Sequence, residues 1–217
     1  MKYSPPIHTS LDISYKDEFL LIVNKPSGLL SVPGRGEDKQ DCLISRVQEE
    51  FSDALIVHRL DMSTSGLIII ARGKEYEREL SILFQQRKIS KKYIAIVDGI
   101  ISPRCGEVDL PLITDWPNRP KQKVDFESGK ASQTQYKVIH YNEKNNTSYI
   151  ELTPITGRTH QLRVHMHSIG HAILGDELYA KKDIVSKASR LLLHASYLSF
   201  EHPVTGGLIE INSDAEF

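Results

Sequence analysis

Two rhythms of apolar residues run along the chain. Phe19-Leu20-Leu21-Ile22-Val23 and Leu67-Ile68-Ile69-Ile70-Ala71 are short unbroken apolar runs, the pattern of strands buried on both faces. The first ends at the turn Asn24-Lys25-Pro26-Ser27-Gly28, and the second is bounded by Gly66 and Arg72. Tyr93-Ile94-Ala95-Ile96-Val97 repeats the pattern and stops at Gly99. Between these runs the period lengthens. Leu43, Ile44, Val47 and Phe51 recur at helical spacing after Asp41, the predicted N-cap, and Leu80, Leu83 and Phe84 share one face of a helix predicted over residues 74–88.

The second half alternates polar and apolar positions more often. Residues 102–131 carry Pro103, Pro111, Pro117, Pro120, Gly106 and Gly129, which predicts a loop-rich stretch with short strands at best. Ser132–Tyr141 and Ser148–Thr153 flank the polar segment Asn142-Glu143-Lys144-Asn145-Asn146 as a predicted hairpin. Thr159–Ile169 fits a helix ended by Gly170, and Leu191–Phe200 and Leu208–Ile211 supply two late strands. Strands outnumber helices, and most connections suit antiparallel pairing. The expected fold class is α+β, a mostly antiparallel mixed sheet flanked by helices and loops, in a single domain over residues 1–217.

Composition narrows the classes further. With 217 residues, 40% hydrophobic and 25% charged, the chain can bury a sizeable core and is not disordered. The N-terminus lacks the apolar core of a signal peptide and no segment approaches a transmembrane length, so a cytoplasmic protein without a membrane partner is expected. Cys42 and Cys105 are far apart and in no C-x-x-C spacing, which suggests neither a disulfide framework nor a thiolate metal site. The net charge of -1 argues against a protein that holds nucleic acid by bulk electrostatics. Cations are nevertheless clustered: Arg87, Lys88, Lys91 and Lys92; Arg119, Lys121 and Lys123; Lys181, Lys182, Lys187 and Arg190. Sharing a face, they would form a phosphate-binding surface.

The densest candidate chemistry is the loop His58-Arg59-Leu60-Asp61-Met62-Ser63-Thr64-Ser65-Gly66, directly ahead of the second buried run. A carboxylate one loop away from a rigid central strand is positioned for use. A metal site is disfavoured. Of His160, His165, His167 and His171 only the last two have i, i+4 spacing, and Gly170 should break the helix between them.

Five further segments join the Asp61 loop: Asn24-Lys25-Pro26-Ser27-Gly28, Lys92-Tyr93-Ile94-Ala95, Gly157-Arg158-Thr159-His160-Gln161-Leu162-Arg163-Val164-His165, Gly175-Asp176-Glu177-Leu178-Tyr179 and Leu191-Leu192-Leu193-His194-Ala195. Together, and in this order, they resemble the signature set of the RluA-type RNA pseudouridine synthases. Ser27–Arg35 and Asp115–Val124 resemble the small members, which act on both transfer RNA and large-subunit ribosomal RNA and lack the N-terminal S4-like domain of larger relatives.

The resemblance implies an isomerase. The N1–C1′ bond of uridine breaks, the uracil reorients and C5 bonds to C1′, with no cofactor and no metal required. Asp61 matches the family aspartate, which attacks or shields C1′ as positive charge builds on the sugar, and it must be ionised to do so. Arg163 matches the second arginine of its segment and is the expected partner of Asp61. Tyr93 matches the tyrosine that lies against the uracil, either stacking on it or handling the C5 proton. Arg59 matches the residue that helps displace the target nucleotide. His58, Arg158 and His160, with Arg119, Lys121 and Lys123, are the expected RNA contacts. Leu191, Leu192 and Leu193 either line the pocket floor or fill a core strand. The implied partners are structured RNAs, the transfer RNA anticodon stem-loop and a 23S ribosomal RNA hairpin, and a monomer is expected. The alternative is a noncatalytic RNA-binding protein on the same scaffold.

Overall fold

The computed structural model describes residues 3–217. In chain order the first elements are β1 (Ile13–Lys16), β2 (Leu20–Lys25), α1 (Leu43–Glu50), β3 (Ala54–Ile56), β4 (Ser65–Arg72) and α2 (Lys74–Gln85). Then follow β5 (Ser90–Asp98), β6 (Cys105–Asp109), β7 (Leu112–Thr114), β8 (Gln122–Val124), β9 (Gln133–Asn142) and β10 (Thr147–Pro154). The last are α3 (Gln161–Ser168), α4 (Lys182–Val185), β11 (Leu193–Glu201) and β12 (Leu208–Asn212). They fall into two compact units, one comprising the chain up to Lys91 with Ala195–Glu216 and the other Lys92–His194 with Phe217.

In the first unit the strand order is β1-β2-β4-β11, with β3 pairing β4 and β12 pairing β11. The unbroken apolar run explains why β4 is central: Leu67 through Ala71 are each 0% exposed. Alternation divides them. Leu67, Ile69 and Ala71 pack with Leu20, Ile22, Phe200 and Leu80 of α2, while Ile68 and Ile70 pack with Leu21, Val23 and Leu43 and Val47 of α1. Each such side chain contributes about 1.5–3 kcal/mol of burial free energy. Gly66, the second residue of this strand, lies at φ +112°, where a Cβ would stand 2.3 Å from the Ala195 carbonyl oxygen. Only glycine permits that backbone approach.

In the second unit the order is β5-β10-β9-β6, all antiparallel, and β7 and β8 form a separate hairpin. Leu162 and Met166 of α3 join Ala95, Val97, Ile150 and Leu152 in its core. The α+β expectation holds, and the loop-rich stretch does contain only short strands.

Three boundaries depart from the sequence reading. Cys42, not Asp41, is the N-cap of α1, and its N–H donates to Ser45 Oγ at 3.0 Å. The Asp41 carboxylate takes a two-pronged pair with Arg46 at 2.7 and 2.8 Å, a charge-assisted partner that a helix amide does not match. Helix α2 stops at Gln85 because Arg87 turns left-handed at φ 58° and lets the Lys88 N–H reach the Leu83 carbonyl at 2.9 Å, a C-cap without glycine. Helix α3 starts two residues later than expected because His160 is itself left-handed, at φ 54°.

Candidate active site

Asp61 sits in a partly buried turn whose carbonyl accepts the Thr64 N–H at 3.1 Å. The loop after β2 clamps the chain on both sides of it. On the near side, Ser31 Oγ donates to the Leu60 carbonyl at 2.8 Å and accepts the Leu60 N–H at 3.2 Å. On the far side, the Gly28 N–H donates to the Met62 carbonyl at 2.8 Å and Ser27 Oγ to that of Ser63 at 2.7 Å. Beneath both lies Lys25, 0% exposed, whose Nζ donates to the carbonyls of Pro26, Leu29 and Met62 at 2.9, 2.7 and 3.1 Å. An ammonium surrounded by carbonyls is the hub that fixes this loop. Sequence reasoning quoted Asn-Lys-Pro-Ser-Gly as a turn. The signal that Lys25 is structural was its place as the last residue of a strand buried on both faces.

His58 opens the same loop. Its Nε2 accepts the Ile69 N–H of β4 at 2.8 Å, and its ring lies 4.4 Å from that of Phe84. Burial, with the Lys91 cation nearby, pushes its pKa down to about 3, so the ring is neutral. Accepting an amide proton requires an uncharged nitrogen, so His58, named from the sequence as an RNA contact, also supports the loop. Arg59 next to it is exposed.

In the second unit α3 presents Arg163, whose Nε and Nη2 donate to Asp176 Oδ2 and Oδ1 at 2.9 and 2.7 Å. Both side chains are buried, at 4% and 1% exposure. These two donors go to the aspartate of the Gly-Asp-x-x-Tyr segment, a partner for Arg163 additional to the Asp61 that the sequence suggested and one that spacing does not reveal. The guanidinium also lies 5.4 Å from the centre of the Tyr179 ring. Tyr93, on β5 opposite Leu152 of β10, is partly buried against the core of this unit.

The other candidates divide by exposure. Arg158 is exposed, its N–H held by Gln161 Oε1 at 3.0 Å. Trp116 and Arg119 are exposed on the β7–β8 hairpin, with the guanidinium 4.5 Å from the indole centre. Lys121 is partly exposed, and Lys123 lies 3.6 Å from Asp125. The histidines weighed as metal ligands have protein partners. His165 Nδ1 contacts Thr134 Oγ1 at 2.9 Å and its Nε2 contacts Ser132 Oγ at 3.0 Å, while His171 Nδ1 contacts the Asp98 carbonyl at 2.8 Å. Burial lowers the His165 pKa.

Comparison with known proteins decides the family. The RNA pseudouridylate synthase family profile matches residues 19–168. The chain belongs to this family. The dual-specificity RNA pseudouridine synthase RluA of Escherichia coli strain K12 is 52% identical over 215 residues, covering 99% of this chain and 98% of the relative. Its namesake in Vibrio parahaemolyticus is 50% identical over 220 residues, covering 100% and 88%. Among solved structures, human RNA pseudouridylate synthase domain containing 1 superposes with a TM-score of 0.80 at 27% identity, covering 97% of this chain and 86% of that one. The matched residues include the Asp61 loop, the Tyr93 strand and the Arg163 helix. Among the described residues, no helix is long and apolar enough to cross a membrane.

Proposed function

We propose that this protein isomerises specific uridines in structured RNA to pseudouridine, with Asp61 as the group that attacks or shields C1′. The observation that carries the reading is the fixation of the Asp61 turn from Lys25, Ser27, Gly28 and Ser31, with His58 anchoring its start to β4. A carboxylate that must meet one sugar carbon gains rate from being held in place before substrate arrives. In this reading Tyr93 stacks on the uracil and Arg163 is the cationic residue of the catalytic set. Atoms balance within the nucleotide: N1–C1′ breaks, C5–C1′ forms, the C5 proton leaves and N1 ends protonated.

Arg59, Arg158, His160, Arg119, Lys121 and Lys123 are the proposed RNA contacts. The relatives' dual specificity supports two substrates, the transfer RNA anticodon stem-loop and a 23S ribosomal RNA hairpin. The monomeric state belongs to the same proposal. The noncatalytic alternative gains nothing from the relatives, which are named as synthases. The test is tritium release from transcripts labelled at C5 of uridine. Asp61→Asn, nearly isosteric but unable to act as a nucleophile, should abolish release while still binding RNA. Release within about tenfold of the parent would remove Asp61 from the mechanism, since loss of an essential nucleophile costs several orders of magnitude.

A further inference from the structure

We propose that Tyr179 is a positioning residue that ties the β7–β8 hairpin to the N-terminal end of α3, so that RNA held by the hairpin's cations is held in register with His160 and Arg163. The proposal rests on the reading of this chain as an RNA-modifying enzyme. The Tyr179 hydroxyl accepts the backbone N–H of Gln122 at 2.8 Å and meets His160 Nδ1 at 2.7 Å. Gln122 lies between Lys121 and Lys123, and His160 is the left-handed residue from which α3 departs. One phenol therefore touches both segments.

The hairpin is internally closed. The Asp115 N–H donates to the Lys121 carbonyl at 2.9 Å, the Lys121 N–H to that of Asn118 at 3.1 Å, and the β7–β8 register pairs Thr114 with Gln122. Its base is held from outside by the Leu112–Lys130 pair of backbone hydrogen bonds at 3.0 and 2.8 Å, and the Gln122 N–H, which donates to Tyr179, is a second tether on the strand that carries Lys123. Tyr179 is fixed in turn. Asp176 Oδ1 accepts the N–H groups of Leu178 and Tyr179 at 3.0 and 3.3 Å and also the Arg163 Nη2 hydrogen bond at 2.7 Å. The arginine spans the tyrosine ring, with the guanidinium 5.4 Å from its centre. A cation placed for the reaction and cations placed for the backbone thus share one framework, Asp176 and Tyr179. Phenylalanine at 179 would keep the ring beneath Arg163 and remove only the hydroxyl.

The experiment is a double-mutant cycle on RNA affinity. Dissociation constants for an unmodified transfer RNA transcript are measured against salt for the parent, Tyr179→Phe, the triple variant Arg119→Ala/Lys121→Ala/Lys123→Ala, and all four changes together, with each variant's unfolding midpoint recorded. Tyr179→Phe is expected to weaken binding by about five- to tenfold, the worth of the tether to the Gln122 N–H. It should flatten the slope of log affinity against log salt by about one unit as a phosphate contact disengages. In the triple-alanine background the same change should cost less than about twofold, because the hairpin then has no cations left to position. Equal losses in the two backgrounds would make Tyr179 a general structural residue, and parent-like affinity of Tyr179→Phe would leave it no role; either result overturns the proposal. A parent that forms no pseudouridine would refute the underlying functional reading, an outcome distinct from an active parent whose affinity ignores Tyr179.

Discussion

Acidification should destabilise this protein through His58, and the amount follows from its contacts. Folding takes much of the ring out of water and sets its Nε2 to accept the Ile69 N–H at 2.8 Å, which with the Lys91 cation nearby pushes its pKa down to about 3. The unfolded chain accepts a proton near pH 6.5. A native pKa below the unfolded value means that the unfolded state holds the extra proton between those limits, so stability is present above pH 6.5 and lost as pH falls toward 3. Between pH 7 and pH 5 the unfolded state gains about 2 kcal/mol from this single site, from RT ln(1 + 10^(pKa − pH)) at each pH. Carboxylates such as Asp17 and Asp41, whose pKa values are lowered by their hydrogen bonds despite burial, act in the same direction but at more acidic pH. Urea unfolding of the parent and of His58→Gln at both pH values isolates the term. The variant should be less stable at pH 7, and its further loss on going to pH 5 should be smaller than the parent's by about 2 kcal/mol. In the parent, the His58 ring proton resonances should not titrate above pH 4. Identical pH dependence in parent and variant, or a His58 titration near 6.5, would refute the buried neutral ring.

Lys25→Met should remove the Nζ donor to three carbonyls while nearly preserving volume; Met62 keeps the Gly28 N–H, but the loss at Pro26 and Leu29 should cost about 3 kcal/mol in urea unfolding and slow single-turnover isomerisation, whereas an unchanged rate would free the Asp61 loop from Lys25. Asp176→Asn removes the charge of one buried partner of the Arg163 guanidinium, an expected loss of about 3–5 kcal/mol by the same measurement, and a loss below about 1 kcal/mol would show that the pair is dispensable. Replacing Arg119, Lys121 and Lys123 together with alanine should flatten the salt slope of RNA binding by about two units, short of the three their number allows, because Lys123 already faces Asp125 at 3.6 Å. An unchanged slope would place the phosphate backbone elsewhere.

The apolar rhythm of the sequence alone determined the central strand. A run with no polar position can only be buried on both faces, and β4 with its flanking helices α1 and α2 follows from that. Motif order likewise fixed which residues are candidates, because the chemistry needs those side chains wherever the chain brings them. What the sequence left open is pairing between distant residues. Arg46 competes for Asp41 and so moves the N-cap of α1, and Asp176, thirteen positions after Arg163, supplies the carboxylate that binds it. Left-handed residues without glycine, Arg87 and His160, ended or delayed helices that periodicity extended through them. Protonation was equally hidden: the protonation of a histidine in a polar loop is open until its environment is known. Only the tertiary structure turned His58 into a neutral acceptor, because desolvation and the Ile69 amide act on the ring together, and neither is visible until β4, α2 and the loop pack on one another.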